Sequence, residues 1–120
     1  MEIFTAVARL LAETLDRVFA IQRELLEQID SAKATELNLF SNFGETEATL
    51  PELEQLQNVA ERLRNPYIRF QRILLLIAES QPTVDRATLE LLERSLEDAM
   101  ATVEAAQATT REIKQNWSLS

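Results

Sequence analysis

Residues 89–117 read LELLERSLEDAMATVEAAQATTREIKQNW, and the spacing of their apolar members decides the fold class. Leu89, Leu92, Leu96, Ala99, Val103, Ala106, Thr110, Ile113 and Trp117 follow one another at intervals of three and four. An α-helix turns once in ~3.6 residues, so this alternation holds them on one face, and a face that narrow is closed by neighbouring helices. Every member is apolar except Thr110. The stripe is packing material and carries no chemistry of its own.

The same pattern recurs twice upstream. Phe4, Ala8, Leu11, Leu15, Val18, Gln22, Leu25 and Ile29 form a stripe whose one polar member is Gln22. Val7 and Ile21 on one side, and Phe19 and Leu26 on the other, widen it, which predicts that this helix touches more than one neighbour. The period weakens through Ala32, Leu39 and Phe43, with Glu36 at a core phase. Gly44 is the chain's one glycine and suits a left-handed helix stop. These signals predict a helix over about 3–36, frayed or bent toward Phe43, and a loop over about 37–49.

Thr49 and Glu52 have the spacing of a capping box, with Pro51 in the first turn of a helix over about 50–79. Its stripe, Leu53, Leu56, Ala60, Leu63, Tyr67, Phe70, Leu74 and Ile77, passes Pro66 without losing phase, so a kink is expected there, or a break. Ser80, Gln81 and Pro82 stop this helix, and Thr83 or Asp85 caps a third over about 83–117. Segments of this length span roughly 40 to 50 Å at 1.5 Å per residue, and short links force antiparallel neighbours. The chain is expected to be all-α, a single domain (1–120) folded as an up-down-up antiparallel three-helix bundle.

Composition narrows the chemistry. One glycine and three prolines in 120 residues are too few for the turns of a β fold. With neither cysteine nor histidine in the chain, disulfides, thiolate chemistry and the commonest general base and metal ligand are excluded. A formal charge of −8 repels phosphate backbones and anionic lipid, so nucleic acid is not an expected partner. The opening MEIFTAVARLLAETL has no basic cluster and carries Glu2 and Glu13, which argues against a leader or a membrane span. A cytoplasmic setting is the simplest expectation.

Two constellations compete for function. Glu24, Glu27 and Asp30 stand at intervals of three, a spacing found in helical magnesium-dependent nucleotide phosphohydrolases. In the helical register they face outward, and the carboxylates that could oppose them, Glu90, Glu93, Glu97 and Asp98, face outward as well. Solubility and i,i+4 pairing, as of Glu13 with Arg17 and Glu90 with Arg94, explain them more simply. The stripes hold no Arg or Lys to grip an anionic substrate inside the bundle. An enzyme is therefore the alternative reading, and no catalytic residue, metal or cofactor is expected.

The other constellation is IRFQRILLLIAES, residues 68–80, whose apolar content exceeds what one stripe uses. Phe70, Leu74 and Ile77 satisfy the core register, which leaves Ile68, Leu75 and Leu76 pointing outward with Arg69 and Arg72 beside them. Contiguous exposed apolar residues mark interfaces, and arginine is enriched there. Residues 51–81 carry four Arg against four Glu, so the segment is neutral in an acidic chain. The expected site is thus an interface made by Ile68, Arg69, Arg72, Leu75 and Leu76, for a homo-oligomer or a helical protein partner. The competing reading is that Pro66 rotates these leucines into the same bundle. The small residues Ala99, Ala101, Ala105, Ala106 and Ala108 read as a core that tapers against Phe4, Phe19 or Phe70, or else as room for a fourth helix.

Overall fold

Three helices, α1 (Glu2–Phe43), α2 (Leu50–Glu79) and α3 (Arg86–Asn116), make up the fold among the described residues. The structure is a computed structural model that describes residues 2–80 and 84–120, with the side chains of α1 described from Leu11 onward. Each helix packs on the other two, and the bundle is a rod with extents of 63 × 20 × 17 Å. The expected helix length was too short for α1, whose 42 residues account for that long axis at 1.5 Å each. Pro82 and Thr83, expected in the second link, lie outside the described residues, as do the side chains of Phe4, Val7 and Ala8.

The core follows the stripes. Val18, Leu25 and Leu39 of α1, Leu56, Leu63 and Phe70 of α2, and Leu92, Leu96 and Ala99 of α3 are all buried. In α3 the whole run from Leu92 to Ile113 at stripe positions is buried, and Leu89 and Trp117 at its ends are half-buried. Phe70 is the large side chain among the small residues' expected complements that the core takes in. Phe19 is not: it stays 56 % exposed.

Helix α1 corrects the loop expected over 37–49, because it continues as helix through Phe43. Thr35 is buried with its hydroxyl donating to the Ser31 carbonyl at 2.7 Å, and Leu39 is fully buried, so the weak stretch is held by packing. Glu36, at its core phase, turns to Lys33 at 3.4 Å. The stop comes at Gly44, whose φ of 71° lies in the left-handed region and whose N–H donates to the Phe40 carbonyl at 2.8 Å. A Cβ there would meet nothing within 4 Å, so the glycine serves its dihedral and not a close approach.

The capping box also lies elsewhere than Thr49 and Glu52. Thr49 sits in the α region and makes no cap bond to α2. Instead the Thr46 N–H donates to Thr49 Oγ1 at 2.8 Å, and the Thr49 N–H donates to Thr46 Oγ1 at 3.1 Å. This is the reciprocal bonding of a capping box displaced three residues upstream, with two threonines. Glu52, released from that role, accepts from Trp117 Nε1 at 3.2 Å, and the Trp117 ring meets Phe43 edge-on at 5.0 Å. The α1–α2 turn is thereby tied to the end of α3.

Helix α2 runs unbroken through Pro66. Leu56, Leu63, Phe70 and Ile77, seven residues apart, are all buried, so the phase is the same on both sides of the proline. At the start of α3 Asp85 is the N-cap, accepting from the Thr88 N–H at 2.7 Å. That backbone bond, and the Thr88 hydroxyl after it, lower the Asp85 pKa from its ordinary value. The expected i,i+4 pairs are replaced: Arg17 reaches across to Glu93 on α3 at 3.1 Å, and Glu90 pairs back to Arg86 at 3.3 Å. Arg17 thus pairs with a neighbouring helix, where the sequence suggests Glu13 one turn earlier.

Candidate protein-interaction surface

Preserved phase through Pro66 settles where the second half of α2 points. With Leu56, Leu63, Phe70 and Ile77 inward, Leu75 and Leu76 are rotated from the core by about 100° or more, and they are 61 % and 54 % exposed. Rotation of these leucines into the bundle by the proline is therefore excluded. Arg69 and Arg72 are exposed as well, and Ile68 is half-buried. Four of the five residues expected at an interface stand in solvent, and the fifth, Ile68, is half-buried.

Ile68 is partly covered because of the side it occupies. A groove between α1 and α2 is lined by Ile29 and Lys33 from one helix and Gln57, Ala60, Glu61 and Arg64 from the other. On α2, Glu61, Ile68 and Leu75 are seven apart and form one row along that groove. On α1, Lys33, Leu26 and Phe19 are seven apart in the same way. The helices run antiparallel, so equal steps away from this groove carry the α1 row toward Leu26 and Phe19 as they carry the α2 row toward Ile68 and Leu75.

Phe19 and Leu26 are each half exposed or more, which the width of the α1 stripe did not foretell. They were expected to meet a second neighbour inside the bundle. Helix α1 does have two neighbours, but its buried row, Val18, Ile21, Leu25, Ala32 and Leu39, already serves both. The signal that could have found them is the recurrence of Phe19, Leu26 and Phe40 at multiples of seven on one outer row, with Lys33 at the step between.

The carboxylates do not assemble. Glu24, Glu27 and Asp30 are exposed, and Glu27 stands 4.0 Å from Arg23. Among the described residues no three His, Cys, Asp or Glu side chains converge as a metal site would require. Glu90 and Glu93, two of the candidates to oppose them, are engaged with arginines. No helix among the described residues is long and apolar enough to cross a membrane. Comparison with protein families, characterised proteins and solved structures finds no match for this chain.

Proposed function

We propose that this chain is a non-enzymatic helical interaction module that assembles through the outer face of α2. Leu75 and Leu76 are its apolar anchors, Ile68 lies at its edge, and Arg69 and Arg72 form a rim whose stems pack while their forks pair. The observation that carries the reading is the exposure of adjacent leucines on a helix whose core register is already full. With Phe19 and Leu26 alongside, this chain offers on the order of 400 Å² of apolar surface, or roughly 10 kcal/mol at ~25 cal/mol per Å². Association costs about 4–15 kcal/mol, so a partner has to supply matching apolar area. A helix, presenting a stripe of its own, has the shape to do so. The reading takes the setting as cytoplasmic, expects no cofactor, and allows a second copy of the chain or another helical protein as the partner.

Leu75→Glu combined with Leu76→Lys tests it. Neither side chain is in the core, so circular dichroism should show unchanged helix content, while association measured by light scattering weakens by about 100-fold or more. An unchanged solution mass in the double variant would remove the face from the interface.

A further inference from the structure

The rows of Phe19 with Leu26 and of Ile68 with Leu75 extend the groove between α1 and α2 one way, and the other way it shares Gln57 with a cleft of about 510 Å³ toward the Gly44 turn. There a second apolar cluster is exposed, Leu37 at 64 %, Phe40 at 53 % and Leu50 at 40 %. The two ends differ in charge. Glu36, Glu45 and Glu54 line the cleft at the turn, whereas Arg69 and Arg72 stand beside Leu75 at the apolar end of α2.

We infer that the occupant of this face is a second copy of the chain, packed antiparallel, so that the arginine-flanked apolar end of each copy meets the acid-rimmed cleft of the other. The inference rests on the α2 outer face being an interface and assigns its counterpart. A twofold axis in the plane of the face and perpendicular to the helices lays α1 on α1 and α2 on α2 with their directions reversed. Leu50, near the start of α2, then comes level with Leu75 near its end. Phe40 of α1 comes level with the gap between Leu26 and Phe19. The contact is isologous: both copies use the same patch and each contact occurs twice.

Charge selects this arrangement over the alternatives. A parallel dimer would hold Arg72 and Glu54 at different heights, whereas reversal brings Arg72 of each α2 level with Glu54 of the other. Near the axis, Lys33 and Arg64 stand close in sequence to Asp30 and Glu61, so the middle of the face is balanced when it meets itself. A foreign partner would have to reproduce the polarity of α2, acidic at Glu54 and basic at Arg69 and Arg72, and the chain already carries it. Area agrees. Phe19, Leu26, Leu37, Phe40, Leu50 and Leu75, with Leu76, expose on the order of 700 Å² of apolar surface per copy, against ~800 Å² per partner in interfaces of standard size. On α3 the large exposed apolar side chains among the described residues are Leu91 and Met100, nine positions apart and on no common row.

The natural chain has no cysteine, so single-cysteine variants report pairing directly. Light scattering of the wild type should give a two-chain mass. Mixing Leu50→Cys with Leu75→Cys under mild oxidation should yield a cross-linked pair of the two different chains, and each variant alone should yield none. Phe40→Glu, at an exposed position, should keep the helix content and shift the mass to one chain. A Leu75→Cys chain that links to its own kind means a parallel dimer and overturns the inference, while leaving the α2 face as an interface. A two-chain mass unmoved by Phe40→Glu removes the cleft from the contact and overturns it as well. A wild type of one-chain mass overturns it, and binding of that single chain to zwitterionic lipid vesicles would assign the face to a bilayer. Leu75→Glu with Leu76→Lys leaving a two-chain mass intact is the separate result that sinks the α2 face itself.

Discussion

Thr110 brings a hydroxyl into the α3 stripe, and its Oγ1 is buried without a hydrogen-bond partner among the described residues. A buried donor left unmade costs its desolvation, whereas an apolar group of the same shape does not. Thr110→Val should therefore stabilise the fold by about 1 kcal/mol, raising the thermal midpoint by ~4 °C. Ser118 is strained in a different way, holding φ at 53° just beyond α3. The Leu119 N–H donates to the Lys114 carbonyl at 2.8 Å and the Ser118 N–H to the Gln115 carbonyl at 3.3 Å, which is the Schellman pattern with serine in the glycine position. Leu119 packs on the core beside it. Glycine takes positive φ without a Cβ penalty, so Ser118→Gly should gain about 0.5–1 kcal/mol, read as a higher denaturant midpoint with an unchanged slope.

Each helix is stabilised at its ends by a different device, and α2 also carries a fault in its middle. Gly44 ends α1, the Thr46–Thr49 pair opens α2, and Asp85 opens α3. Pro66 removes the N–H that would bond the Arg62 carbonyl, yet the helix continues because Leu63 and Phe70, on either side of it, are fully buried. Packing on both sides outweighs a local cost of up to ~3 kcal/mol. Pro66→Ala should restore the missing bond and raise stability by about 1–3 kcal/mol, less whatever the proline contributes by stiffening the unfolded chain. Hydrogen exchange should then slow at the amides around residue 66. Destabilisation by this substitution would mean that the proline's own half-buried contacts outweigh the bond it denies.

The molecule as a whole is a rod only 20 × 17 Å across, about two helix diameters. In so thin a bundle each helix turns a large part of its circumference to solvent, and apolar residues beyond the two core rows have no third layer to enter. Phe19, Leu26, Leu37, Phe40, Leu75 and Leu76 are the consequence. If association covers them, stability depends on concentration, since whatever binds the folded state alone stabilises it by mass action. The wild-type melting midpoint should rise with each tenfold increase in protein concentration. In Leu75→Glu with Leu76→Lys it should stay flat. A flat wild-type curve over a hundredfold range would speak for a chain that is stable alone.

Helical periodicity is a local property, so the sequence alone determined the fold class, the three helices and most of the core, while Val59 and Ile73, buried beside the α2 stripe, lay outside it. Register propagates rigidly, which is why the outward direction of Leu75 and Leu76 could be derived across Pro66. The tertiary structure decided whatever depends on two segments meeting. Leu39 and Phe43 keep α1 helical past Glu36 because one is buried in the core and the other meets Trp117, contacts invisible in a weak local period. Glu52 caps nothing because the Trp117 indole, 65 positions away, claims its carboxylate. Arg17 likewise chose Glu93 on α3 over Glu13 on its own helix. The groove where Ile29 and Lys33 of α1 meet Gln57, Ala60, Glu61 and Arg64 of α2 exists only once the two helices lie antiparallel at a fixed offset, since amphipathic spacing specifies a helix's face but not the height at which another helix will meet it.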